Sequence, residues 1–157
     1  MTDSLARVAE ALARAGLPAT VTEYPDSTRT AAEAAAAVGC AVDQIVKSIV
    51  FRGAVTGRCL LFLTAGGNRV DPRRAAGFAG EALVKADADF VRSRTGFAIG
   101  GVAPLGSLTP VPAWADRTLM AFPVVWAAAG TPRHVFAADP RALVRAAGAE
   151  VADFAQP

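Results

Sequence analysis

Lys47 is the sharpest single residue in the chain. The 16 basic residues include only two lysines, Lys47 and Lys85. Where arginine is so strongly preferred, a lysine inside Ile45-Val46-Lys47-Ser48-Ile49-Val50-Phe51 is not there merely as a solvating charge. If that segment is a strand buried on both faces, Lys47 must pair, shift its pKa or point into a water-filled pocket. The alternative is a strand residue whose stem reaches solvent. Ser48 follows it. Neighbouring strand side chains point to opposite faces, so the two are not expected to act on the same atom.

A second feature offers backbone rather than side chains. Gly96-Phe97-Ala98-Ile99-Gly100-Gly101-Val102-Ala103-Pro104-Leu105-Gly106 has four glycines, one proline and no charge. Glycine allows positive φ and close approach of a ligand or another backbone, and Pro104 then fixes φ. The stretch reads as a stiff, largely buried loop that presents N–H and C=O groups to something small. A tight connection between core strands is the plainer alternative.

Other chemistries find little support. His134 is the only histidine, so any Ser-His or Cys-His pair would have to use it. It follows Arg133 at a turn-to-strand junction, where an exposed edge histidine is the ordinary case. One histidine and no cysteine cluster do not build a typical metal site, and no cofactor is expected. Cys40 and Cys59 stand far apart and read as reduced core residues. The dinucleotide and Walker phosphate motifs are absent.

The elements that must position these residues are legible in outline. Leu5, Val8, Ala11, Leu12 and Ala15 fall at helical spacing, with Gly16 as a stop. Ala19 to Tyr24 alternates like a strand, and Pro25-Asp26-Ser27 reads as a turn. Thr30 with Glu33 is a capping-box pattern for a helix to Val38, and Asp43 is expected to cap one further turn. Ile45–Phe51 and Arg58–Thr64 make a hairpin across residues 53–57. Ala65 to Asn68 is a turn, Asp71-Pro72 opens a short helix, and Ala86 to Arg94 is helical with Asp87 and Asp89 near its start. Arg117–Met120 and Pro123–Ala127 are expected as short strands. Gly130-Thr131-Pro132 is a turn and Val135–Ala137 a strand. Asp139-Pro140 caps a helix over Arg141–Ala147 that stops at Gly148, and Val151–Phe154 returns as an edge strand. Strands and helices interspersed, with some hairpins, point to a mixed sheet in an α/β or α+β domain.

The totals set bounds. At 157 residues, 53% hydrophobic and a mean hydropathy of +0.35, the chain is expected to form one domain with a real core and not to be disordered. A net charge of +2 gives no argument for duplex DNA, although a local basic patch stays open. Thr95 to Ala115 is uncharged and long enough to cross a bilayer. Gly100, Gly101, Pro104, Gly106, Pro110 and Pro112 interrupt it, so buried loops and strands are expected there, not a span. No signal peptide is read in residues 1–20, which makes a cytoplasmic protein the expectation.

Taken together these residues resemble the YbaK/EbsC family of aminoacyl-tRNA deacylases, which includes the editing domain of bacterial prolyl-tRNA synthetases. The resemblance covers nearly the whole chain. It runs from the opening helix and the Thr30 helix through Val46-Lys47-Ser48, Asn68-Arg69-Val70-Asp71 and Gly100-Gly101-Val102-Ala103-Pro104. The Gly130 turn and the Asp139-Pro140 helix complete it. Lys47 falls where the family has its functional lysine, and Gly100 to Pro104 fits the family's glycine-three-residues-proline loop.

The resemblance implies a single editing-type domain over residues 1–157, with a mixed, mostly antiparallel sheet curled toward a barrel and helices around it. It implies hydrolysis of the ester that joins a wrong amino acid to the tRNA 3′ adenosine. Lys47, Gly100 and Gly101 would carry the reaction by positioning the ester and a water. Pro104, Ser48, Gly130 and Thr131 would line the substrate. Arg69, Arg73 and Arg74 are candidates for tRNA contacts on their charge alone, with a solvated helix start as the plainer alternative. No metal or covalent nucleophile is obligatory, because an aminoacyl ester is already activated. The implied partners are aminoacyl-tRNA and, beyond it, a synthetase, with no DNA and no membrane; the chain would be a monomer or homodimer. Candidate substrates carry alanyl, cysteinyl, seryl or threonyl groups, with pocket size setting the choice. The sequence departs from relatives with a serine before the final glycine turn: here the residues are Ala128-Ala129-Gly130. That departure keeps open a non-catalytic module that binds tRNA or a synthetase on the same fold. A small-molecule binder using the glycine loop as its pocket floor is the third reading.

Overall fold

The computed structural model describes residues 3–25 and 28–157. Its elements follow in the order α1 (Asp3–Arg14), β1 (Val21–Glu23), α2 (Ala31–Val38), β2 (Val46–Gly53), β3 (Cys59–Ala65), α3 (Pro72–Ala79), β4 (Leu83–Lys85), α4 (Ala88–Thr95), β5 (Ala113–Asp116), β6 (Val125–Ala128), β7 (His134–Ala138), α5 (Pro140–Ala147) and β8 (Ala149–Ala152). The turn expected at Pro25-Asp26-Ser27 lies in part outside the described residues.

The helix starts follow from local capping. Thr30 accepts from Glu33 N–H while Glu33 reaches back to Thr30 N–H, so the capping box is complete. Asp71, Asp87 and Asp139 each accept from the first turn of α3, α4 and α5. Asp43 does not cap. It sits inside a short 3-10 turn, Val42–Gln44, and its carboxylate instead accepts from Gly67 N–H at 2.8 Å.

The strands form two sheets. One is ordered β1-β7-β6 and the other β4-β2-β3-β5-β8. All pairs are antiparallel except β3–β5 and β5–β8. An isolated parallel bridge, Ile45 to Trp126, joins the sheets without closing them into a full barrel. The result is a mixed, mostly antiparallel α/β domain with five helices among the described residues. Every residue of β3 is buried, because it is the middle strand of five and covered on both faces. Leu61 and Leu63 face a core with Phe97, Val102 and Phe136. Leu60 and Phe62 face a second, where Phe62 stacks on Trp114 at 5.0 Å and meets Phe154 edge-on.

Two further expectations are corrected. Arg117–Met120 is not a strand but a 3-10 turn, Arg117–Ala121, started by the Asp116 carboxylate accepting from Thr118 N–H. The strand lies just before it, as β5. The expected closing strand starts earlier, as β8, and forms the sheet edge parallel to β5.

Candidate functional site

A cavity of about 270 Å³ opens where the two sheets meet. The start of β2 forms one wall, the Gly100 loop and the β6–β7 turn another, and the start of α2 a third. Ala34, Ile45, Val102, Trp126 and Val135 make much of the lining apolar. Lys47, Arg29, Thr131 and His134 supply polar groups.

Lys47 is half-buried in that wall, and its Nζ donates to the Asn68 carbonyl at 2.5 Å. It has no carboxylate partner within ion-pair distance among the described residues. Its pKa is lowered, first by burial and then by the Arg69 charge, against the pull of Asp116 and Asp43. So of the options the sequence left open, Lys47 shows three at once: a partner, a shifted pKa and a pocket.

Asn68 is itself held. Its Nδ2 donates to Asp116 Oδ2 at 2.9 Å and to Thr118 Oγ1 at 3.1 Å. Asp116 is 2% exposed and also accepts from Ala65 N–H at 3.1 Å. A buried carboxylate that collects amide donors fixes the turn that aims Lys47. Sequence reasoning missed Asp116, although its signal was present: it is the acid that ends the long uncharged run from Thr95.

Ser48 also lines the cavity. The register sets Ser48 opposite Leu63 and Lys47 opposite Thr64, so the two side chains leave β2 on opposite faces as expected. Ser48 Oγ is buried and has no hydrogen-bond partner among the described residues.

The glycine loop divides its labour. Gly100 is exposed, has φ +89° and lines the cavity. Gly101 is buried, and its N–H donates to Ala98 O at 2.9 Å, so that donor is already used. A Cβ on Gly101 would lie 2.7 Å from Thr131 Cα, so glycine here lets the loop seat against the Thr131-Pro132 turn. Pro104 is buried away from the cavity, beside a separate one behind the loop. Gly130, at φ +100°, is buried against Ser4 of α1. Arg7 of α1 locks the loop's far end, donating to Gly106 O at 3.0 Å and covering the Phe97 ring at 4.8 Å.

Thr131 and His134 are brought together in the wall. Thr131 Oγ1 and His134 Nδ1 share a hydrogen bond at 2.6 Å. Across the β1–β7 pair His134 faces Glu23, with Nε2 to Oε2 at 3.9 Å. The histidine is thus half-buried in the candidate site, not an exposed edge residue. Tyr24, whose hydroxyl is pushed up to about 12 chiefly by burial, and Arg29 complete this side. Arg69 is exposed beside Lys47, and Arg73 is exposed on the first turn of α3. Neither lines the cavity.

Comparisons with known proteins bear on this geometry. Residues 25–146 match the family described as "Aminoacyl-tRNA editing domain". A curated relative is the "Uncharacterized protein YwhH" of Bacillus subtilis (strain 168), 29% identical over 123 residues and 78% of each chain. A solved structure described as a "putative trans-editing enzyme for prolyl tRNA synthetase" is 49% identical. It superposes with a TM-score of 0.92 over 100% of this chain and 99% of the other. The "hypothetical protein APE2540" is 30% identical with a TM-score of 0.86, over 96% of this chain and 99% of that one.

Proposed function

The chain belongs to the aminoacyl-tRNA editing domain family, and from that premise we propose that it is a deacylase whose residues 1–157 form one domain. It hydrolyses the ester of a mischarged aminoacyl-tRNA. The observation that carries this reading is the Lys47 ammonium, held by a carbonyl in the wall of a small cavity with a largely apolar lining.

Lys47 holds the 3′-terminal adenosine end by its charge. The exposed backbone of Gly100 orients the amino-acid end and the attacking water, with Gly101 and Gly130 seating the loops that shape the pocket. Water adds to the ester carbonyl carbon, the bond to the ribose oxygen breaks, and that oxygen leaves with a proton. The protein contributes position and charge, not a covalent nucleophile. A cavity of about 270 Å³ favours a small aminoacyl group. The name of the 49%-identical structure makes mischarged prolyl tRNA the first substrate to try.

The test is deacylation of a panel of tRNAs carrying small wrong amino acids, by wild type and Lys47→Ala. Selective turnover that falls by about 100-fold or more in the variant is expected, on the scale of losing one charge-stabilising group. Near-normal turnover in Lys47→Ala would sink the assignment. Ala128 in the cavity wall favours one second reading, a tRNA-binding module without turnover. It is supported if wild type binds tRNA and hydrolyses no member of the panel.

A further inference from the structure

Arg52 and Arg94 converge on one aromatic ring. The Arg52 guanidinium carbon lies 5.5 Å from the Phe90 ring centroid, and that of Arg94, one helical turn beyond Phe90 on α4, lies 4.8 Å from it. Both arginines are exposed. Neither side chain makes an ion pair or hydrogen bond with a described residue. Phe90 is half-buried and packs on the same core as Val50 of β2. Two like charges held on one ring repel each other, and their N–H donors are left for something outside the chain. A polyanion relieves the repulsion, and a guanidinium lying on an aromatic face also presents a flat surface on which bases stack. Cationic and aromatic groups combined in this way are what single-stranded nucleic acid binds.

The position relative to the cavity gives the patch a use. Arg52 shares a strand face with Val50 and Ser48, because alternate residues point the same way. Ser48 lines the cavity, and four residues of strand span roughly 13 Å at ~3.3 Å each. That is about four nucleotides at the ~3.4 Å rise of a stacked strand. A second segment connects the same two places: α4 is capped by Gly96 and the chain runs directly to Gly100 in the cavity wall. Between them, Lys47 to Val50 pair with a strand only on the β3 side, and β6 lies near the start of β2 through the Ile45–Trp126 bridge.

We propose that Arg52, Phe90 and Arg94 form a stacking platform for the single-stranded RNA just before the terminal aminoacyl-adenosine. This rests on the reading of the cavity as an aminoacyl-tRNA site. It names a surface separate from Arg69 and Arg73.

The experiment measures binding of uncharged tRNA across a salt series, for wild type, the double variant Arg52→Gln/Arg94→Gln, and Phe90→Leu. Circular dichroism checks that each is folded. Losing two phosphate contacts should flatten the slope of log K against log salt by about 1.4, at ~0.7 per single-strand contact. Phe90→Leu should weaken binding with the slope unchanged. On mischarged tRNA the double variant should raise KM and keep kcat, and its turnover of an aminoacyl-adenosine ester should equal wild type. A double variant with wild-type slope and KM, in a protein that does deacylate, overturns the platform alone. A wild type that deacylates nothing overturns the reading beneath it, whatever the slopes.

Discussion

Lys47 is aimed by a carbonyl, and its protonation is balanced by charges that do not touch it. Asp116 and Asp43 favour the ammonium, while burial and Arg69 disfavour it. This makes the alkaline limb of the pH–rate profile a readout of single residues, if the ammonium is the working form. Asp116→Asn removes an attractive charge, lowers the Lys47 pKa and should move that limb to lower pH. Arg69→Gln removes a repulsive charge and should move it to higher pH. The two shifts have opposite signs, so general loosening of the protein cannot imitate both. Asp116→Asn should also destabilise by about 1–3 kcal/mol, because an amide cannot accept all the donors the carboxylate collects. A kinetic pH series and a thermal melt on each variant check both effects.

Among the elements, the glycine loop and the β6–β7 turn are coupled by contact at Gly101. An added methyl there would lie 2.7 Å from Thr131 backbone atoms, which cannot swing aside as a side-chain tip would. Gly101→Ala should therefore cost about 1–3 kcal/mol. That is a fall in Tm of roughly 2–4 °C per kcal/mol for a chain of this size. It should also raise KM for the mischarged substrate, since both displaced segments wall the cavity. An unchanged Tm and KM would show that the two segments move freely past each other. This contact also marks what the sequence could disclose. Helix starts were readable because a cap is a local signal: Thr30 with Glu33, or an Asp before a Pro, acts within four residues. Lys47 was readable because a lysine in an apolar strand conflicts with its surroundings. The pairing of Gly101 with Thr131, of Asn68 with Asp116, and the entry of Trp126 and Tyr24 into the wall depend on which strands lie side by side. No local pattern carries that order. Arg117–Met120 misled for a related reason. Its composition suits a strand, but Asp116 supplies a cap that turns the chain first.

For the whole molecule, β2 separates the cavity from one source of stability. Its first residues wall the cavity, and its last residues enter the hairpin turn, where Glu81 gathers the chain. The Glu81 carboxylate accepts from Val55 N–H and Thr56 N–H at 2.9 Å, from Thr56 Oγ1 at 2.6 Å, and from the Arg58 guanidinium at 3.0 Å. These bonds tie the entrance of β4 to the β2–β3 hairpin. Gly53 is what makes room, since a Cβ there would lie 2.4 Å from a Glu81 oxygen. The hydrogen bonds, those from Thr56 first, pull the Glu81 pKa from 4.5 down to about 2. A depressed carboxylate binds fewer protons folded than unfolded across that interval. Its stabilisation is therefore complete above about pH 4.5, declines as pH falls, and is gone below about pH 2. Glu81→Gln should lower the urea midpoint at pH 7 and lose less between pH 6 and pH 2.5 than wild type does. Its deacylation at pH 7 should match wild type, because the change lies at the opposite end of β2 from Lys47. Parallel acid limbs in the two proteins would show that this carboxylate does not set the acid response. Lost deacylation would show that the sheet passes strain at the hairpin on to the cavity, contrary to the separation argued here.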